Sequence, residues 1–254
     1  MNIAVGRPIA GLLLLASILR SQATSTEPAE APNRTAPEQQ LARLQRTIHD
    51  YGNLARYHDA DLKLPPPAAG ESRVVFLGDS ITDFWGRRGG QFFPGKPDIN
   101  RGISGQVTPQ MLIRFRQDVL DLKPKVVVIL AGTNDIGGSL GPIPDYATKN
   151  NLMSMVELAR ANQIRVVLSS LTPVCDSIRP QSAKRPPEKI LALNEWLKSY
   201  AAQQNIVYLD YYSKMIDDKG MLRSDLTVDC LHPNQAGYAI MMPLAEAAVE
   251  KALR

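Results

Sequence analysis

Two segments that lie far apart in the sequence contain the side-chain types of a serine hydrolase. Ser80 follows an apolar run and belongs to the sequence GDSIT. Asp229 precedes His232 by three residues in the sequence DCLHP. A serine hydroxyl becomes a strong nucleophile when a histidine takes its proton and a carboxylate orients that histidine. The three residues are therefore a candidate nucleophile, base and orienting acid.

The choice of His232 as the base depends on its setting in a turn-like segment. The other two histidines, His49 and His58, precede the first predicted strand in a helical segment, where we expect solvated or locally bonded roles. An aspartate and a histidine at this spacing are a weak signal when they stand alone. Asp229 could instead cap a helix that begins near Asn234.

Three groups could donate hydrogen bonds to the negative charge that develops on an attacked carbonyl oxygen. Asn134 lies in GTND, directly after the apolar run 126–131, although asparagine is also a common turn residue. Gly105 lies in NRGISG, and without a Cβ its backbone amide can approach a ligand closely. The third group is the backbone amide of Ser80, at the predicted start of a helix.

The elements that position these residues alternate along the chain. Short runs rich in Val, Ile and Leu predict strands at 74–77, 98–103, 126–131, 164–169 and 206–209. Helical periodicity predicts helices at 109–120 with Thr108 as the cap, at 146–161, at 188–202 and at 234–253, the last kinked by Pro243. Alternating strands and helices predict a parallel sheet that is covered on both faces. In such sheets the site lies beyond the carboxyl ends of the strands.

The N-terminal part indicates export. Residues 1–23 resemble a secretory signal peptide, with an early arginine, an apolar segment at 9–19 and small residues before the expected cleavage site; an uncleaved anchor is the alternative. Residues 24–36 have the composition of a flexible linker. Residues 37–64 are predicted to form a helical segment that packs on the main domain, residues 70–254. The apolar stripe expected to make that contact is Leu41, Leu44, Ile48, Tyr51 and Ala55.

Composition narrows the class of partner and cofactor. Residues 1–23 hold two arginines and no acidic residue, so cleavage would lower the formal net charge from +4 to +2. This near-neutral balance does not favour nucleic-acid binding. The chain lacks the HExxH, paired CxxC and strand-linked GxGxxG motifs, so no metal or organic cofactor is expected. Cys175 and Cys230 are predicted at one edge of the sheet, where they form either a disulfide or two separate thiols.

In this order, the GDSIT, NRGISG, GTND and DCLHP segments resemble the blocks of the SGNH hydrolases, the GDSL esterase and lipase group, over nearly all of residues 73–253. The resemblance implies a flavodoxin-like three-layer α/β/α sandwich with a five-stranded parallel sheet. It implies Ser80, Asp229 and His232 as catalytic residues, and an oxyanion hole formed by Ser80, Gly105 and Asn134. The resemblance also leads us to expect glycine in many relatives at the position of Cys230, which departs from that pattern.

Within that family, Phe84, Trp85 and the NRGISG sequence most resemble the platelet-activating-factor acetylhydrolase-like and carbohydrate acetylesterase-like members. We therefore expect a secreted or periplasmic serine esterase that hydrolyses short-chain esters of small molecules or carbohydrates. Acetyl esters are the expected preferred substrates. An acyltransferase, or a lysophospholipase or thioesterase, would use the same triad. A non-catalytic ligand-binding module is the alternative from a different class. The oligomeric state stays open.

Overall fold

A five-stranded sheet of parallel strands is the centre of the fold, as the sequence predicts. The computed structural model describes residues 35–254, so the predicted signal peptide and nearly all of the predicted linker lie outside the described residues. The strands are β1 (Val74–Gly78), β2 (Asp98–Gly102), β3 (Val126–Leu130), β4 (Arg165–Ser169) and β5 (Val207–Leu209), in the spatial order β2-β1-β3-β4-β5. Every strand lies within a residue or two of its predicted position.

Helices occupy most of the segments between the strands. They are α1 (Ala36–His49), α2 (Ala55–Lys63), α3 (Ser80–Phe84), α4 (Thr108–Asp118), α5 (Thr133–Ile136), α6 (Asp145–Ala161), α7 (Pro187–Gln204), α8 (Tyr212–Met215) and α9 (Gln235–Leu253). Short 3-10 turns lie at Leu120–Leu122 and Ser224–Leu226. No helix among residues 35–254 is long and apolar enough to cross a membrane.

The core has two parts because successive side chains of a strand point to opposite faces. Val75 and Leu77 of β1 belong to the part formed with α4, α6 and α7. Val74 and Phe76 belong to the part formed with α9 and the aromatic residues after α3. The sheet is therefore covered on both faces, which explains why β1 and β3 are apolar at almost every position.

The strand register brings the ends of the first three strands together. Gly78 at the end of β1 is paired with Gly102 of β2 on one side and with Leu130 of β3 on the other. The chain proceeds from β1 to β2 in one direction and places β3 on the opposite side. Segments that follow these strands therefore meet at a topological switch point, where open α/β sheets bind ligands.

The predicted cap of α4 is wrong by one residue. Val107 is the cap, and Thr108 is the first residue of the helix. The backbone N–H of Thr108 donates to both carboxylate oxygens of Asp135, and its hydroxyl donates to Oδ1 of the same residue. The carboxylate of Asp135, from another element, thus accepts hydrogen bonds at the start of α4 in place of a capping side chain.

The continuous helix expected from Leu41 to Ala55 is interrupted. Helix α1 ends at His49 and α2 begins at Ala55. Asp50 accepts hydrogen bonds from the backbone N–H groups of Leu54 and Ala55, at 2.7 and 3.0 Å. Asn53 between them has a left-handed φ of 54°. Asparagine tolerates this conformation better than most residues, so the chain turns here and starts a second helix.

The apolar stripe of this segment does not pack as expected. The exposed fractions of Leu44 and Ile48 are 54% and 78%. Hydrogen bonds attach the following segment instead: Tyr57 Oη donates to the carbonyl of Gly102, and Gln106 Nε2 donates to the carbonyl of Gly52. Periodicity alone could not distinguish these outcomes, since it reports an apolar face without reporting what covers it.

Candidate active site

Ser80 lies on a sharp turn from strand to helix. Asp79 caps α3 by accepting a hydrogen bond from the backbone N–H of Ile81 at 2.9 Å. A Cβ at Gly78 would lie 2.1 Å from Thr82 Oγ1 and 3.0 Å from the Leu130 carbonyl oxygen, so only glycine allows this close approach. The tight turn thus places Ser80 at the carboxyl end of β1.

Ser80, His232 and Asp229 form one hydrogen-bonded chain. His232 Nε2 lies 2.9 Å from Ser80 Oγ, and His232 Nδ1 lies 2.8 Å from Asp229 Oδ2. A carboxylate can only accept, so the proton of the neutral ring is assigned to Nδ1. Nε2 is then free to accept from the Ser80 hydroxyl. This is the arrangement that an activated serine requires.

Local hydrogen bonds orient the DCLHP turn. Asp229 Oδ1 accepts from the backbone N–H groups of His232 at 2.8 Å and Leu231 at 3.2 Å. The cap of α9 is Asn234, whose Oδ1 accepts from the Gly237 N–H at 3.0 Å. The alternative in which Asp229 caps this helix is therefore wrong.

Two carboxyl groups near Ser80, the partly buried Asp229 and the fully buried Asp79, have pKa values shifted in opposite directions. Burial raises the pKa of Asp229, but hydrogen bonds from the backbone and ring of His232 outweigh it, so the net pKa is lowered and the group stays ionised. Burial raises the pKa of Asp79 to about 7, because its side chain is shielded from solvent and its Oδ2 has no hydrogen-bond partner.

The amide of Asn134 is held from both sides. Its Nδ2 donates to the carbonyl of Gln106 at 3.0 Å. Its Oδ1 accepts from Arg185 Nη2 at 3.0 Å and from Ser139 Oγ at 3.2 Å. Asn134 follows β3 in α5 and is 4% exposed, so the side chain lies at the carboxyl edge of the sheet in a defined orientation.

Gly105 lies in the exposed loop after β2. Its φ is 80°, a conformation that favours glycine, and a Cβ built there would meet no protein atom within 4 Å. The adjacent Ser104 donates from its backbone N–H and its hydroxyl to Asp83 Oδ2 on α3. Asp83 thus ties the loop of Gly105 to the helix that begins at Ser80. Ser80, Gly105 and Asn134 each follow one of three adjacent strands.

A disulfide joins Cys175 and Cys230, which confirms the bridge that the sequence left open. The Cα atoms are 4.6 Å apart, and the backbone N–H of Cys175 donates to the Cys230 carbonyl at 3.1 Å. Cys230 has a φ of 68°, in the left-handed region. Glycine adopts this conformation more easily than other residues, so Cys230 holds a backbone conformation that favours glycine.

Three residues of the site escaped the sequence reasoning. Arg114 is fully buried and donates to the Gly78 carbonyl at 3.0 Å and to Gln106 Oε1. The backbone carbonyl of Gln106 accepts from the Asn134 side chain. Arg185, in the loop before α7, donates to Asn134 Oδ1. Long side chains from distant segments carry no local motif, so spacing could not identify them. Among residues 35–254, no three His, Cys, Asp or Glu side chains are grouped as metal ligands.

Comparison with protein families places these motifs in one group. The family described as GDSL-like lipase/acylhydrolase matches residues 76–240. The chain belongs to this family. The four motifs of the GDSL-like family therefore identified it correctly from the sequence, and its five-stranded parallel sheet is the fold that the resemblance implied.

The chain is also similar to solved structures and to curated proteins. A Bacteroides fragilis protein of known crystal structure, provisionally named an acylhydrolase, is 42% identical in sequence to this chain. The two structures superpose with a TM-score of 0.76, and the match covers 81% of this chain and 99% of that one. The platelet-activating factor acetylhydrolase IB subunit alpha2 of Gallus gallus is 26% identical over 191 residues, 71% of this chain and 77% of that one. A Bacillus subtilis protein, uncharacterized lipoprotein YqeF, is 35% identical over 81 residues, 31% of this chain; the match spans only 33% of that relative's length.

Proposed function

We propose that this member of the GDSL-like family is an exported serine esterase that hydrolyses short-chain carboxylic esters, chiefly acetyl esters, with acetylated carbohydrates as the substrate class. The hydrogen-bonded chain from Ser80 through His232 to Asp229, with distances of 2.9 and 2.8 Å, carries the proposal.

The geometry supports a two-step mechanism. His232 Nε2 takes the hydroxyl proton while Ser80 Oγ bonds to the ester carbonyl carbon, and Asp229 stabilises the imidazolium that forms. The tetrahedral intermediate collapses as the C–O bond to the alcohol breaks, and His232 gives its proton to that alcohol. The acyl group now rests on Ser80. Water attacks it with His232 again as base, the bond to Ser80 Oγ breaks, and the proton returns to Ser80 as the carboxylic acid leaves.

The negative charge of the tetrahedral intermediate needs hydrogen-bond donors. We assign this role to the side-chain amide of Asn134 and to the backbone N–H groups of Gly105 and Ser80. Preorganised donors of this kind act mainly on charge that develops in the transition state. The fixed amide of Asn134 and the open space around the Cα of Gly105 support the assignment.

Separate observations support the acyl group and the location. The chicken relative is named an acetylhydrolase, and α3 follows β1 at once, with no long apolar insertion after Ser80 that could form an acyl channel. The signal-like residues 1–23 and the short match to a lipoprotein support export.

A Ser80→Ala variant tests the mechanism, with Ser213→Ala as the control because Ser213 is exposed on α8. We expect Ser80→Ala to lose ester hydrolysis and labelling by a serine-directed phosphonate, whereas Ser213→Ala keeps both. Full turnover by a clean Ser80→Ala preparation would refute the mechanism.

A panel of esters tests the substrate class. We expect wild-type rates to be highest on acetyl esters and to fall for octanoyl and longer acyl groups. Equal rates on long-chain esters would indicate a lysophospholipase or thioesterase instead. Product analysis with acetylated oligosaccharides, with and without added sugar acceptor, distinguishes release of free acetate from acyl transfer.

A further inference from the structure

The orientation of the Asn134 amide decides whether it can stabilise an oxyanion. Its Nδ2 can donate two hydrogen bonds and its Oδ1 can only accept, so a flipped amide would direct an oxygen toward the developing negative charge. One N–H of Nδ2 is already used by the Gln106 carbonyl. The other is available to substrate only while Oδ1 is held on the opposite side.

Arg185 holds that oxygen. Its Nη2 donates to Asn134 Oδ1 at 3.0 Å, and a guanidinium has no acceptor atom, so this contact is possible in only one orientation of the amide. Ser139 also donates to Oδ1, but a hydroxyl can donate or accept and does not discriminate between the two orientations. The Gln106 carbonyl and the Arg185 guanidinium are thus the two discriminating contacts.

The burial of Arg185 indicates a role at this site. The side chain is 7% exposed, its Nε has no hydrogen-bond partner, and no carboxylate among the described residues forms an ion pair with it. A buried charge without a paired carboxylate is costly to keep. Asp79 and Asp229 act on it at longer range and partly offset the lowering of its pKa by burial. Asp79 directly precedes Ser80 in the sequence, and Asp229 is the carboxylate that contacts the ring of His232.

The fold makes room for Arg185 and anchors the loop that carries it. A Cβ at Gly137 would lie 2.9 Å from the guanidinium carbon, so glycine at this position admits the side chain. Gln181 accepts from the Arg185 backbone N–H at 2.8 Å and from Arg185 Nη1 at 2.9 Å. The backbone N–H of Gln181 donates in turn to the carbonyl of Cys175, and a disulfide joins Cys175 to Cys230.

We propose that Arg185 is a positioning residue of the oxyanion hole: it fixes and polarises the Asn134 amide so that one N–H faces the substrate carbonyl. The disulfide-anchored loop delivers Arg185 to this position, so one covalent bridge organises both the proton-transfer residues and the oxyanion donor. This inference rests on the proposed esterase function and adds to it a residue that acts through Asn134.

The test compares kcat and KM of Arg185→Gln with those of Lys184→Gln, an exposed neighbour that loses the same charge. We expect Arg185→Gln to lower kcat about 10-fold or more, because the amide is no longer held, with little change in KM. Lys184→Gln should match the wild type. Arg185→Lys keeps the charge and a donor, so it should recover part of the lost kcat.

A double-mutant cycle with Asn134→Ala tests whether Arg185 acts through Asn134. In the Asn134→Ala background, Arg185→Gln should have almost no further effect on kcat. Gly137→Ala provides a second route, because it displaces the guanidinium without altering Arg185 itself, and its effect should likewise vanish in the Asn134→Ala background. It also keeps the inference testable if Arg185→Gln fails to fold.

Three results would overturn the inference. The first is an unchanged kcat in folded Arg185→Gln and Gly137→Ala. The second is a decrease in kcat on Arg185→Gln that is as large in the Asn134→Ala background as in the wild type. The third is a change in KM at an unchanged kcat. A wild type that hydrolyses no ester of the panel would instead refute the proposed function. The two failures are therefore distinguishable.

Discussion

Removing the Cys175–Cys230 bridge is expected to lower the free energy of unfolding by up to about 4 kcal/mol. The bridge joins residues separated by 55 positions, and the chain-entropy model for a loop of this length gives roughly that value. Its main effect is to restrict the unfolded chain. The variant is the pair of substitutions Cys175→Ala and Cys230→Ala, which removes both thiols and so excludes new disulfides.

The residue chosen at position 230 should matter in a way that separates backbone strain from loss of the bridge. Cys230 has a φ of 68°, where an alanine is strained and a glycine is not. Cys175→Ala with Cys230→Gly should therefore unfold with a free energy about 1 kcal/mol higher than Cys175→Ala with Cys230→Ala. Both variants lack the bridge, so the difference between them does not include the loss of the disulfide.

Urea unfolding at equilibrium, followed by circular dichroism, measures both quantities, and thiol titration of the denatured, unreduced wild type verifies the bridge. We also expect kcat to fall in both variants, because the bridged loops carry His232 and Arg185. Wild-type stability in both variants would refute the entropic argument. Equal stability of the glycine and alanine variants would refute the argument from φ.

Two further predictions concern the polar side chains of Asn134 and Asp79. Asn134→Ala should lower kcat by roughly 10² to 10³ with a smaller change in KM, since an oxyanion donor acts on the transition state; a rise in KM at constant kcat would make Asn134 a binding residue. Burial raises the pKa of Asp79 in the folded state to about 7 from its ordinary value of 3.8, so between these pH values the folded state binds more protons than the unfolded state. Wild-type stability should therefore decrease relative to Asp79→Asn by about 1.4 kcal/mol per pH unit as pH rises through this window, then level off above it. Urea unfolding of both proteins at pH 5, 6, 7 and 8 checks this, and parallel stability curves would contradict it.

The parts of the fold that were predictable from sequence depend on local patterns. The buried strands β1 and β3 are apolar runs of the right length, and all five strands appear close to their predicted positions. The four motifs sufficed to identify the GDSL-like family. The tight GDSIT turn and the Asp229 contacts with the next backbone amides arise within a few residues, so short-range geometry specifies them.

Errors arose where packing partners decide the outcome. The apolar periodicity of 41–55 predicted one helix whose apolar stripe packs on the main domain, yet α1 ends at His49 and Ile48 is exposed. Thr108 resembled a cap, but Asp135 from another segment accepts its hydrogen bonds. In both cases the local sequence indicated what kind of contact the residue could make, but it did not indicate which residue would be its partner.

The sequence by itself determined the α/β class, the family and the candidate chemical residues, because strand apolarity and motif spacing are properties of short segments. Only the tertiary structure decided that His232 meets Ser80 at 2.9 Å, that Cys175 meets Cys230, and that Arg185 holds Asn134. These contacts join residues far apart in the chain. Their distances depend on strand order and register, which bring the carboxyl ends of β1, β2 and β3 to one edge, and no short segment contains that information.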